Sequence, residues 1–282
     1  MSLPLLGMDV GFYSHIGAYP LAARCEMLAE LGYAAVDLSV WSEPAWADLP
    51  ILWTAAAASG LAVAAVYATV DLAAPHDSGE NGRILGMIDG LPAGATVELS
   101  MRFDGDSPAL SGPSGDDAAA RFLDLALERA ERSDVTILLY PHTFFWMQRV
   151  ADAVRLCARY SSPRLGMVFP LFHWYAVDGV DLPGRLAAAA PYLRLVNTNG
   201  SRRLNGQYFP VTIEPVGTGD FDNFAFLGML RAIGYEGFLG IQSYGIGGDS
   251  YSHFRQSIAA VRDIEQRLDR APHWAALRPD HL

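Results

Sequence analysis

LGMVFPLFHWYAVDG, residues 165–179, opens on an apolar run that ends at Pro170, with His173 three positions further on. An apolar run without polar alternation marks a strand buried on both faces, as in a parallel sheet covered by helices. Here the strand runs into a loop carrying an ionisable side chain, and α/β barrels keep their chemistry at such strand ends. Seven more runs of the same kind occur: LPLLGMDVGF (3–12), YAAVDLSV (33–40), LAVAAVYATV (61–70), ATVELSM (95–101), VTILLYPH (135–142), LRLVNTNG (193–200) and YEGFLGIQS (235–243). Amphipathic stretches lie between them, among them 19–32, 116–133 and 223–234, and Gly32, Gly60 and Gly234 stand where helices close at C′. The weakest unit is 74–94, which carries only a short, glycine-broken helix. Eight strands and a length near the ~250 residues usual for the fold predict an α/β (β/α)8 TIM barrel, one domain over residues 1–282. The alternative, a doubly wound open sheet, would carry GxGxxG in its first βα turn, and none is present.

Composition narrows the chemistry. The chain is 51% hydrophobic and 18% charged, with no apolar run long enough to cross a bilayer. The start, MSLPLLGMDV, has no basic segment or cleavage pattern, and Cys25 and Cys157 fall in helical patterns without CxxC spacing. Both are expected to be core thiols of a cytoplasmic protein. The net charge is −11 and all 20 basic residues are arginine, so neither a nucleic-acid nor a membrane partner is expected. The absence of lysine excludes Schiff-base and pyridoxal-phosphate chemistry and a Walker P-loop, and no GxSxG offers a hydrolase serine. Acid–base, metal-assisted and purely binding functions remain.

In a barrel the C-terminal strand ends converge on one mouth. The eight strands deliver Asp9, Asp37, Tyr67, Glu98, Tyr140 with His142, Pro170 with His173, Asn197 with Asn199, and Gln242. Residues two apart share a face, so Tyr140 and His142 should point together, as should Asn197 and Asn199. Buried carboxylates in barrels also pair with neighbouring arginines, which is the alternative reading of Asp9, Asp37 and Glu98.

The order of ELGYAAVDL (30–38), LLYPH (138–142), LGMVFPLFHWY (165–175) and GTGDFDNFAFLGMLRAIGYEGFLGIQ (217–242) resembles the xylose-isomerase-like barrel family, the sugar-phosphate isomerase/epimerase group. That resemblance implies one divalent cation held by a Glu, an Asp, a His and a Glu. In this chain those four positions are Tyr140, Pro170, Asn197 and Gln242, which cannot match carboxylates in attracting a hard dication. The sequence is similar to a branch of the family lacking the usual metal ligands, and no cofactor is expected. The resemblance makes His142 and His173 the pocket histidines. A sugar-like substrate would then lose and regain a proton between them, which requires one neutral and one protonated imidazole. Tyr140, Asn197, Asn199 and Gln242, the acids Asp9, Asp37 and Glu98, Trp174 and Arg202 complete the expected binding set. Tyr13, Phe145, Trp146 and Tyr175 also flank strand ends and offer stacking surfaces. GIGGDSY (245–251), helped by Arg202 and Arg203, is either a phosphate cradle or a glycine loop before a helix cap. His15, His76, His253, His273 and His281 have no partner pattern and are read as surface or loop. Two functions follow: an isomerase, epimerase or lyase acting on a carbohydrate or polyol, or a catalytically silent barrel binding a sugar-like ligand or a protein partner. A homo-oligomer is compatible with either.

Overall fold

The computed structural model describes residues 2–14, 17–105, 108–205 and 211–279. Eight parallel strands close into a barrel: β1 (Leu5–Gly7), β2 (Ala35–Ser39), β3 (Ala62–Asp71), β4 (Thr96–Arg102), β5 (Thr136–Leu139), β6 (Leu165–Pro170), β7 (Leu193–Thr198) and β8 (Leu239–Ile241). Each pairs with its sequence neighbour, and β1 closes on β8 with Leu6 opposite Gly240. Every one of the eight apolar runs overlaps one of these strands, with β3 and β4 each reaching one residue further. No helix among the described residues is long and apolar enough to cross a membrane.

Helices cover the outside: α1 (Leu21–Leu31), α2 (Glu43–Asp48), α3 (Leu52–Ala58), α4 (Gly79–Gly90), α5 (Asp116–Ser133), α6 (Val150–Tyr160), α7 (Leu171–Val177), α8 (Leu182–Ala189), α9 (Asn223–Ala232) and α10 (Ser250–Arg270). Strand alternation assigns the two faces. Val97, Leu99 and Met101 of β4 join the helix-facing core, whereas Leu6, Ala35, Ala65, Leu138, Val168 and Leu195 plug the barrel interior. Gly32 ends α1 at φ +87°, a left-handed turn in which any side chain would be strained. Cys25 and Cys157 are buried free thiols in α1 and α6.

Two elements depart from the sequence reading. The 74–94 segment holds a continuous twelve-residue helix despite its glycines. Its buried face of Ile84, Leu85, Met87 and Ile88 outweighs poor propensity, and Asn81 ties its first turn to Asp71 and Pro75. The segment after Pro170 is a short helix, α7, so His173 stands on a helix whose face packs into the core. His15 and His281 lie outside the described residues.

Candidate active site

A cavity of about 660 Å³ opens at the C-terminal mouth of the barrel. Tyr67 and Tyr140, their rings edge to face at 5.1 Å, form its floor. His142, His173 and Gln242 stand in its wall with Ser39, Thr69 and Thr143. Apart from Thr212 the remaining wall is apolar: Met8, Val10, Phe145, Phe172, Leu204, Val211 and Ile213, with Trp41, Phe144 and Tyr244 at the rim. Phe144 holds a left-handed backbone at φ +69°, rare for a bulky residue and a mark of a position over-determined by its surroundings.

Part of the roof comes from the segment after β7. It folds back on itself through bridges pairing Gly200 with Glu214 and Arg203 with Val211, which brings Val211, Thr212 and Ile213 over the cavity. Gly200 is required there, because a Cβ at this position would run into the Pro215 carbonyl oxygen.

The two histidines lie against each other, ring centroids 4.0 Å apart and planes 38° apart, and Phe145 stacks on His142 at 4.2 Å. Backbone partners fix their tautomers differently. His142 Nδ1 lies 2.8 Å from the Thr143 carbonyl oxygen, which can only accept, so Nδ1 carries the proton and Nε2 the lone pair. His173 Nδ1 accepts the Thr143 N–H at 3.1 Å, so its proton sits on Nε2. The same residue thus presents one ring as base and the other as hydrogen-bond donor. Burial pushes His142 down to about 4, and burial and then the facing His142 hold His173 well below its ordinary range. Both rings are neutral at pH 7. The expected division into one neutral and one protonated imidazole is replaced by a division between tautomers, because desolvation acts on both rings in the same direction.

Gln242 accepts the Tyr244 N–H at 3.0 Å through Oε1, which leaves its amide N–H groups as donors. Beneath the floor, desolvation raises Glu98 to about 8, and Glu98 Oε2 has no partner. Burial, followed by the Asp9 and Glu98 charges, raises Asp37 well above the carboxylate range. Asp9 is raised to about 6 by burial against the opposing pull of Arg24, which it meets at 3.1 Å while Arg24 also pairs with Asp48. These three acids form a buried network and do not line the cavity.

Other expected site residues also stand elsewhere. Asn197 turns down over Gly240, beside the Tyr140 hydroxyl but without a well-formed hydrogen bond, and a Cβ at 240 would collide with its amide. Asn199 lies past the end of β7, and its Nδ2 donates to the Gly200 carbonyl at 2.6 Å. Trp174 is drawn into the core between Phe169 and Phe221. Arg202 pairs with Glu214, and Arg203 lies over the Tyr175 ring at 4.5 Å. Trp146 is buried, donating to the Gly112 carbonyl, and Tyr13 meets Trp41 at 5.9 Å from behind the rim. Of the flanking aromatics, Phe145 reaches the wall. In 245–251, Asp249 caps α10 by accepting the Ser252 N–H, so a carboxylate already faces that helix end.

The four positions assigned to the cation do not suit one. Pro170 has no donor atom, burial keeps the Tyr140 phenol protonated, Asn197 is turned below the floor, and Gln242 Oε1 is already engaged. Among the described residues, no three His, Cys, Asp or Glu groups converge as a metal site.

Wall residues that the sequence reading missed carry a weak signal: Trp41 and Tyr244 each stand two positions past an inward-facing strand-end residue, Ser39 and Gln242.

Comparison with curated proteins gives no match. Among solved structures, the chain is similar to a xylose isomerase-like TIM barrel/4-hydroxyphenylpyruvate dioxygenase fusion protein, with TM-score 0.73 and 15% identity over all of this chain but 46% of that one. It is also similar to L-ribulose 3-epimerase, with TM-score 0.72 and 15% identity over 99% of both chains. A third similar structure is the 3-keto-D-glucoside 4-epimerase from E. coli, with TM-score 0.69 and 15% identity over 93% of this chain and 100% of that one. At such identities these likenesses carry the fold alone. The family model for the xylose isomerase-like TIM barrel matches residues 25–264, most of the barrel, and the chain therefore belongs to that family.

Proposed function

We propose that the protein is an isomerase or epimerase acting on a carbohydrate or related polyol, using His142 and His173 without the family's divalent cation. The observation that carries this reading is the pair of complementary tautomers at the cavity wall. In the reaction, a proton leaves the carbon beside the substrate carbonyl for His142 Nε2. The electron pair of that C–H bond moves onto the carbonyl oxygen, giving an enediolate. His173 Nε2–H and the Gln242 amide donate hydrogen bonds to the oxyanion, in a setting where one good donor is worth about 3–4 kcal/mol. Return of the proton to the former carbonyl carbon, with the enediolate hydroxyl proton passing to the oxyanion, isomerises the sugar; protonation of the original carbon on its other face by water, with the His142 proton passing to the hydroxide left behind, epimerises it. A neutral imidazole donor suits this role because it stabilises the oxyanion without first surrendering its proton. The names of similar structures, epimerases of L-ribulose and of a 3-keto-D-glucoside, are in keeping with that reaction class.

The neutral side chains at the four cation positions favour a second reading, a barrel that binds its ligand without chemistry. Incubation with a panel of ketoses and 3-keto-glucosides in D₂O separates the two. The enzyme reading expects deuterium at the carbon beside the carbonyl at a rate unchanged by EDTA. Absence of exchange across the panel supports the silent barrel, and exchange abolished by EDTA and restored by Mn²⁺ overturns metal independence.

A further inference from the structure

The described cavity wall lacks charge. Among its described residues there is no Asp, Glu, Lys or Arg, and both histidines that line it are neutral at pH 7. A phosphate or carboxylate on the ligand would need an arginine, a lysine or an open helix N-terminus. Arg202 and Arg203 are engaged outside the wall, and the α10 N-terminus already holds the Asp249 carboxylate. The surrounding field adds to this, since a chain of net charge −11 repels anions at long range.

The wall is also two-sided in chemistry. Its hydrogen-bonding groups gather at His142, His173 and Gln242, close to the Tyr67–Tyr140 floor. Towards the rim it offers flat aromatic surface instead. Trp41, Phe144 and Tyr244 are 46%, 43% and 50% exposed, and Tyr244 lies 5.5 Å from Trp41 at 64°. Half-exposed aromatics at a cavity mouth offer apolar surface that a ligand can cover. The 660 Å³ volume lies within the ~300–1,000 Å³ of pockets that enclose drug-sized ligands, more than one sugar ring fills.

We infer that the ligand is an uncharged glycoside-like molecule: a hydroxylated ring seated at His142, His173 and Gln242, carrying an aromatic substituent that packs against Trp41, Phe144 and Tyr244. This rests on the carbohydrate reading above and adds to it a specificity, against phosphorylated sugars and for aromatic conjugates.

Isothermal titration tests it with a matched panel in which each common hexose is presented as its phenyl glycoside, its methyl glycoside and its 6-phosphate. The phenyl glycoside of the preferred hexose should bind roughly tenfold or more tighter than its methyl counterpart, the gain expected from burying one ring. The 6-phosphates should show no measurable binding. Trp41→Ala and Phe144→Ala, both at the exposed rim, should erase the phenyl preference while leaving methyl glycoside affinity within about twofold. A 6-phosphate that binds as well as the phenyl glycoside, equal affinity for phenyl and methyl forms, or no binding by any member overturns the inference. Deuterium exchange run on the 3-keto derivatives of the same phenyl and methyl glycosides, which carry the carbonyl that a plain glycoside lacks, keeps the two readings apart. Phenyl-selective binding with no exchange on the 3-keto forms upholds the inference and defeats the isomerase reading, while exchange on a 6-phosphate, whose ring opens to a free carbonyl, does the reverse.

Discussion

Two regions of the barrel axis lie one above the other and lose their charge in opposite ways. Below the Tyr67–Tyr140 floor, Glu98 and Asp37 are acids whose burial raises their pKa, Glu98 to about 8, so that Glu98 keeps its proton. Above it, His142 and His173 are bases whose burial lowers theirs, so they shed protons. Desolvation penalises the charged form of either type, and the result at both levels is a neutral group at pH 7. The difference lies in what each region can then do. The lower acids are shielded and bear on stability, whereas the upper pair has its proton positions set by the Thr143 backbone and stands where a substrate can reach it.

The sharpest way to break this contrast is His142→Ala. It should lower deuterium exchange by the ~10²–10⁴-fold of a lost general base while leaving urea stability nearly unchanged. In the intact protein the same rate should stay flat from pH 8 to about 5 and fall only as His142 takes up a proton near 4. A bell centred on neutrality would mean that one ring is protonated at rest and that the tautomer assignment is wrong.

Glu98→Gln is the counterpart below the floor. Because the folded protein holds the Glu98 proton up to about 8 while the unfolded chain releases it near 4.5, stability from this group is full below pH 4.5 and lost as pH rises through 8. Urea melts of the variant at pH 9 should show a gain on the order of 2–3 kcal/mol over the parent, with little change at pH 4. Equal stability at both pH values would show that Glu98 is hydrated. Smaller again is the effect expected of Gly200→Ala, which forces a Cβ against Pro215 and should cost about 1–3 kcal/mol. Its signature should be a raised KM from the displaced Val211–Ile213 roof, with pH dependence unaltered.

The barrel itself was legible in the sequence because continuous apolar runs and glycine-terminated helices are local patterns. The His142–His173 pair was legible too, from the strand ends that precede both residues together with the family resemblance, although His173 itself stands on α7. Their tautomers were not, being decided by the N–H and C=O of a single intervening backbone residue. Asn199 shows where alternation stops informing: it shares a parity with Asn197, but β7 ends at Thr198 and the side chain turns to the Gly200 carbonyl. Trp174 and Arg202 were drawn away by partners distant in sequence or across a loop, Phe221 and Glu214, which no local pattern reveals. The roof of Val211 to Ile213 depends on the bridge from Gly200 to Glu214, again a non-local pairing.

The seam between β1 and β8 bears on the order in which the protein can be made. Leu5 pairs with Leu239, and the Leu3 N–H and Ser2 hydroxyl are held by Glu265 of α10. During synthesis β1 therefore waits for more than two hundred residues before its partner β8 exists, with that edge unpaired until then. Closure of so distant a contact comes late and sets a high entropic barrier. A nascent chain stalled short of residue 239 would display that open edge, which makes the ribosome-bound stage the period of greatest exposure to chaperones and to aggregation.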